Sequence, residues 1–337
     1  MNGRANRPLI VGVVACVLAL ALVFVDTRAT LGGWLVAAVW IGSIPIGALG
    51  LLMMMRMIPG PWRGELALPT QRLMLLMPVA ALAMVPVLVG VGRLYPWVDL
   101  PLHGYRAVYL SVWAFELRTV VFFAAAIAVA VLLPRSAAEA LAAGGIIALT
   151  LYDTTMVVDW LMTLDPGFHS SGFGLYGMSI QFTIAISALI VLRLVAGPAG
   201  ENTSVLGALL ITVLLTWTYL AFMQYLIIWS GNLPQGVAWF GKRGSGGWAV
   251  VEYVITICAL GPLFLLFFPP VRAGRFWLIA LSLVVMFGKV LEFAWLVLPT
   301  TTNAGIGVAS MVLAMIGLVA WVLVALQRLP TRRATVS

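Results

Sequence analysis

Ten apolar runs, most of them about 20 residues long, follow one another from residue 8 to residue 327 with short polar breaks between. Hydrocarbon offers no partner to a backbone N–H or C=O, so a crossing segment must satisfy those groups internally, as an α-helix does. At 1.5 Å per residue, about 20 residues cover the roughly 30 Å of a bilayer core. The runs lie near 8–25, 31–55, 73–92, 106–133, 137–164, 173–196, 204–230, 247–268, 275–298 and 304–327. The longest breaks, 56–72, 93–105 and 231–246, are too short for a soluble domain and read as loops, the last of them amphipathic. The expected fold is all-α and polytopic, a single membrane domain over residues 1–337 with about ten transmembrane helices and the lipid bilayer as its solvent. Composition agrees: 9% of residues are charged, against about 25% in soluble domains.

A net charge of +8 raises the question of nucleic acid, and its distribution answers it. With ten spans, one side of the membrane holds Arg4, Arg7, Arg56, Arg63, Arg72, Arg135, Arg193, Arg272, Arg275, Arg328, Arg332 and Arg333, twelve cations. The other holds five: Arg28, Arg93, Arg106, Lys242 and Arg243. Cytoplasmic loops carry the basic excess, so both termini are expected in the cytoplasm, and the excess is topology and not a nucleic-acid surface. Val25-Asp26-Thr27-Arg28 offers no small-x-small cleavage site after the first run, which therefore reads as an uncleaved helix.

Seven charges sit inside the apolar runs: Glu116, Arg118, Asp153, Asp159, Glu252, Lys289 and Glu292. Each costs about 2.5–3.5 kcal/mol at a helix centre even on insertion scales, so such residues face a bundle interior or wet cavity and handle protons, ions or a polar substrate. Glu116, Glu252, Asp159 and Glu292 fall in the outer third of the membrane, with Asp153, Arg118 and Lys289 nearer the middle. Lys289 and Glu292 are three apart and share a helix face, which suits either a neutralising pair or a proton relay. Glu116 and Arg118 point to different sides, so Arg118 calls for an acid from another span, Glu252 or Asp153. Asp153 and Asp159 have no basic neighbour at helical spacing, and desolvation of a carboxyl raises its proton affinity, so both are candidates for proton exchange. His169, in the loop after the fifth span, is a candidate proton acceptor at the outer surface, the usual role of an imidazole. The structural alternative for each of these is a hydrogen-bonded or paired group that holds the bundle together.

Cys16 and Cys258 stand alone in separate spans, and His103 and His169 both fall at outer ends of spans. Neither set makes a metal site, an iron–sulfur site or an axial pair for a haem at mid-membrane, so no cofactor is expected on this chain itself.

An internal echo links the fourth and eighth runs. Trp113-Ala114-Phe115-Glu116 precedes Pro134, and Trp248-Ala249-Val250-Val251-Glu252 precedes Pro269 at nearly the same distance. This fits two four-helix units, spans 2–5 (about 31–164) and 6–9 (about 173–298), flanked by helices at 8–25 and 304–327.

The segment from Tyr219 to Trp248, with its polar turn Gly231-Asn232-Leu233-Pro234, resembles the NrfD/PsrC-like membrane subunits. Within them it is most similar to the ActF subunit of alternative complex III, a quinol:cytochrome c oxidoreductase. Asp159-Trp160 through His169, the following Gly174–Phe182 stretch, and Phe287 through Leu296 strengthen the likeness, while Gln235-Gly236 replaces the carboxylates with which the family turn continues. The resemblance implies two four-helix bundles in a bacterial inner membrane and a subunit that carries no redox group. Iron–sulfur clusters and haem c would belong to iron–sulfur and c-type cytochrome partner subunits, beside a second NrfD-like subunit and, in some assemblies, a terminal oxidase. It implies a scaffold and proton path, with quinol or quinone as a ligand of the complex and an unassigned quinol site. Its candidate positions are Asp153, Asp159, His169, Lys289 and Glu292. The competing classes are a secondary transporter or proton channel, which buried carboxylates also suit, and an oxidase assembly factor.

Overall fold

The computed structural model describes residues 3–136, 138–197 and 203–329. Arg332 and Arg333 of the cation count lie outside the described residues, as does the side chain of Arg4. The described residues form α-helices joined by tight turns, with no strand among them. The helices are α1 (Gly3–Ala21), α2 (Thr27–Met57), α3 (Pro61–Met74), α4 (Met77–Val89), α5 (Val91–Leu94), α6 (Tyr105–Tyr109), α7 (Val112–Leu132) and α8 (Glu139–Trp160). They continue as α9 (Phe173–Ala196), α10 (Thr203–Ser230), α11 (Pro234–Arg243), α12 (Gly246–Leu266), α13 (Pro269–Ala273), α14 (Arg275–Val297) and α15 (Ala304–Arg328). Among the described residues nine helices are long and apolar enough to cross a membrane, and the pair α3–α4, bent by 42°, makes a tenth crossing if counted as one span. The chain is a multi-pass helical membrane protein.

Two expected loops are helical. Residues 61–72 of the 56–72 break lie in α3, which runs on to Met74; Pro61 starts it and Pro78 ends it. The Pro78 ring displaces the carbonyl four residues earlier, that of Met74, where α3 stops. Residues 234–243 form α11 within the 231–246 break, again begun by a proline. Asn232 turns the chain between α10 and α11 at φ +44°, a left-handed conformation its short polar side chain tolerates.

α2, α4, α7 and α8 pack in a closed ring, and α9, α10, α12 and α14 close a second. α2 is the shared spine, buried throughout its apolar window, and it also packs on α9, α14 and α15. Its approach to α15 depends on glycine: a Cβ on Gly33 would lie 2.1 Å from the Gly307 carbonyl oxygen. Small residues let backbones meet this closely where lipid supplies no hydrophobic drive to association. Asp26 caps α2, accepting from the Ala29 N–H at 3.0 Å, and accepts from the Thr302 hydroxyl at 2.5 Å, tying the α1–α2 turn to the α14–α15 turn.

Part of the arginine excess is structural. Arg56 donates to Ser136 O (2.6 Å) and to Leu133 O at the end of α7, Arg72 to Leu326 O (2.9 Å) in α15, and Arg275 to Leu194 O (2.5 Å) in α9. Last-turn carbonyls are unsatisfied acceptors at the negative end of the helix dipole, so a guanidinium from a neighbouring span serves them well.

Candidate functional site: two buried polar centres

Four ionisable side chains inside the spans are almost wholly buried: Asp153, Asp159, Lys289 and Glu292. They sort into centres at the same end of the two bundles, the end that carries the α8–α9 loop and α11.

In the first bundle, Asp159 in the last turn of α8 accepts from Arg118 Nε of α7 at 2.7 Å through Oδ2 and from the Tyr109 hydroxyl at 2.9 Å through Oδ1. Arg118 also donates to Tyr109 O (3.0 Å) and stands 4.1 Å from the Tyr109 ring centre. Burial first, and then the Asp159 carboxylate, hold the Tyr109 phenol above its ordinary range, which keeps it a donor. The acid expected for Arg118 was Glu252 or Asp153; it is Asp159. The correction is one of register, since α7 and α8 are adjacent and antiparallel and so bring residue 118 level with the end of α8. Asp159 is accordingly an ion-pair member. A cavity of about 160 Å³ lined by Tyr109, Asp165 and His169 adjoins this pair. His169 itself is exposed, and Glu116 is half-buried with no hydrogen bond or ion pair among the described residues.

Asp153 is six residues before Asp159, so at 3.6 residues per turn it faces elsewhere. It meets Gln181 of α9, whose amide nitrogen, in the orientation that satisfies both groups, donates to Oδ1 at 3.2 Å and Oδ2 at 2.6 Å. No cation pairs with Asp153 among the described residues.

The second centre has more parts. Lys289 Nζ donates to Glu292 Oε2 at 2.7 Å, the pairing expected from their spacing. Oε1 of the same carboxylate accepts from the Tyr176 hydroxyl of α9 and from Trp217 Nε1 of α10 at 2.8 Å. Lys289 Nζ stands 3.3 Å from the Trp217 ring centre. Three helices therefore converge on Glu292. Beside it lies a cavity of about 140 Å³ whose walls include Tyr176, Trp217, Gln224, Glu252, Glu292 and Trp295. A cavity near 150 Å³ takes a benzene-sized ring. Two acceptors border it with no donor of their own among the described residues: Gln224 Oε1, buried and without a partner, and the half-buried Glu252 carboxylate. The space therefore suits a hydrogen-bond donor.

Arg243 closes this end of the bundle. Only 1% exposed, it donates to Trp295 O (3.2 Å), Leu296 O (2.9 Å) and Trp239 O (3.2 Å) and stacks 3.7 Å from the Trp239 ring centre. Burial pulls its guanidinium below its usual range and the Asp165 carboxylate opposes that.

Tyr176, Trp217, Gln224, Gln181, Tyr109 and Arg243 escaped the sequence reading, which looked for charges inside spans. A signal was available for four of them, since Tyr176 and Gln181 lie in the 174–182 stretch and Gln224 and Arg243 in the 219–248 segment that carry the family likeness. No protein-family model and no curated protein matches this sequence.

Proposed function

We propose that this chain is a membrane subunit of a quinol:acceptor oxidoreductase complex of the alternative complex III kind, in which it scaffolds partner subunits and moves protons. The observation that carries the proposal is a coincidence of two independent features. The stretches that resemble the NrfD-like subunits, 159–169, 174–182, 219–248 and 287–296, supply Asp159, Tyr176, Gln181, Gln224, Arg243, Lys289 and Glu292 of the buried centres, while Tyr109, Arg118, Asp153, Trp217 and Glu252 come from outside them.

Quinol oxidation releases two electrons and two protons, and the electrons need redox groups that partner iron–sulfur and cytochrome c subunits would hold. Proton handling is the part this chain's residues suit. Glu252 and Gln224 offer free acceptors to a hydroxyl donor in the cavity. A proton taken at Glu252 faces Glu292 across the same space, and Lys289 stabilises the Glu292 carboxylate between transfers. Asp153 and Gln181 form a further carboxyl station between the bundles. In this proposal both centres lie toward the periplasm and both chain ends in the cytoplasm of a bacterial cell, following the positive-inside rule. A transporter built on repeats would break the matching helix in each half; here α3–α4 is broken, whereas α10 runs unbroken from Thr203 to Ser230.

The test is gentle extraction of the tagged chain from its native membranes. Iron–sulfur and c-type haem proteins should accompany it, with quinol:cytochrome c reductase activity. Within that complex Glu252→Gln and Glu292→Gln should each slow turnover about 100-fold or more, the usual worth of a positioned proton acceptor. A chain that emerges alone, or full turnover in both variants, defeats the proposal.

A further inference from the structure

A groove opens toward lipid on the outer side of the first bundle. Its floor is Leu49 and Met53 of α2, and its walls are α7 and α8, whose facing residues include Ala125, Gly145 and Ala148. Small side chains on both walls leave about 110 Å³ unfilled. The stacked rings of Phe122 and Tyr152, 6.2 Å between centres, close the end nearer the α8–α9 loop. From Val121 to Val129 the groove runs about 12 Å, the rise of eight helical residues.

Its other end meets a cluster of cations. Met53 is one turn from Arg56, which is bound to the carbonyls of Leu133 and Ser136 where α7 turns toward α8. Arg135 lies in that same turn and is exposed. Arg63, near the start of α3, is close enough for its charge to repel that of Arg56. Against these three stand two carboxylates: Glu139, exposed at the start of α8, and Glu65, already paired with Arg193 of α9 at 2.9 Å. An apolar slot that ends in surplus positive charge at a membrane surface is complementary to one molecule of the bilayer, a lipid with an acyl chain and an anionic phosphate head.

We propose that the α7–α8 groove binds an anionic phospholipid, one acyl chain lying against Leu49 and Met53 and its phosphate held by Arg63 and Arg135 beside Arg56. The site stands independently of the proposed redox role. The lipid fills the void between α7 and α8, and its head bridges α3 to the α7–α8 turn.

The probe is phosphatidylglycerol against phosphatidylcholine. The full-length protein, in lipid nanodiscs holding equal amounts of the two, is released and the bound lipid is counted by native mass spectrometry. The protein should retain phosphatidylglycerol about 30-fold better, the order expected when two surface arginines contribute. Arg63→Gln with Arg135→Gln should abolish that preference and leave unfolding unchanged. Ala148→Phe, at an exposed position facing the groove, should lower retention of both lipids; Ala125→Leu serves the same purpose if that variant fails to fold. Equal retention of the two lipids, or a preference that survives both kinds of variant, overturns the proposal. So does a photo-crosslinker at residue 148 that captures a polypeptide in native membranes instead of a lipid.

Discussion

The Lys289–Glu292 pair can be separated into its parts by a double-mutant cycle. Both side chains are about 1% exposed, and Glu292 accepts three donors. Glu292→Leu strands the ammonium, which costs about 3–5 kcal/mol for a buried pair broken on one side. It also removes the acceptor of the Tyr176 hydroxyl and the Trp217 indole N–H, at about 1–3 kcal/mol each. The Trp217 ring still faces Lys289 and returns roughly 0.5–2 kcal/mol. The sum approaches the whole stability of an ordinary domain. Lys289→Met leaves the carboxylate with its two neutral donors, so its cost should sit near the lower bound, about 3 kcal/mol. The double change strands no charge and leaves two orphaned donors, about 2–6 kcal/mol. It should therefore be milder than Glu292→Leu alone and at least about 3 kcal/mol below the sum of the singles. The chain's two cysteines, Cys16 and Cys258, are both free and buried, so a thiol-reactive fluorophore reports unfolding in detergent with no cysteine introduced. Single costs that add to within about 0.5 kcal/mol would show that the two groups do not act as a buried pair and refute the reasoning.

Arg243→Lys should not rescue the wild type, because an ammonium cannot reach three carbonyls from one plane or stack flat on Trp239; amide exchange should quicken across 234–243 and the last turn of α14, and unchanged exchange counts against the clamp. Gly33→Leu should abolish folded yield, since its Cβ would press on the Gly307 carbonyl oxygen at 2.1 Å and the Met311 nitrogen at 2.8 Å, both backbone; Gly64→Ala, with nothing within 4 Å, is the neutral or stabilising control. Asp26→Ala should cost about 1 kcal/mol at neutral pH, the usual worth of an N-cap. The Ala29 N–H, then the Thr302 hydroxyl, hold the Asp26 carboxyl below its ordinary range. Its contribution is thus complete above the unfolded value near pH 3.9 and is lost as pH falls through the lower folded value. Melting curves of the two proteins should converge in acid, and a constant gap speaks against the cap.

The spans were legible because their signal is local. Twenty apolar residues identify a crossing whatever surrounds them, and α9, expected over 173–196, spans Phe173–Ala196. Lys289–Glu292 was legible for the same reason, since one helix sets both positions. Arg118 was assigned the wrong acid because its partner depends on the register of α7 against α8, which no window along one helix contains. Arg243 was invisible because its partners are backbone carbonyls, which every residue has. Tyr176 and Trp217 were hidden differently: an aromatic residue in a span is ordinary until a carboxylate is known to face its polar edge. α3 and α11 were read as loops because their apolar content is low, yet a proline at the first position with its φ already helical started both.

The sequence echo between the two halves makes their chemical difference informative. Glu116 of α7 and Glu252 of α12 occupy matching places, each before a carboxylate on the next long helix of its bundle, Asp159 or Glu292. In the first half Arg118, two residues past Glu116, reaches across and pairs with Asp159, whose two oxygens are then engaged by Arg118 and Tyr109. In the second half the cation is Lys289, on the same helix as its acid, and the residue two past Glu252 is Val254, so no arginine crosses from α12 to α14. In the second bundle Glu252, Ile255 and Thr256 form the α12 side of the cavity beside Glu292. Both carboxylates of the second half, Glu252 and Glu292, therefore line one cavity, whereas the cavity near the first pair is lined by neither Glu116 nor Asp159. On this argument the first centre holds its bundle together and the second is where a ligand or a proton enters. A bulky cation on the α12 wall of the cavity, as Thr256→Arg, should fill the space and stop turnover in the proposed complex while leaving the Lys289–Glu292 pair intact. Retained activity in a folded Thr256→Arg variant would mean that the cavity is not the point of entry.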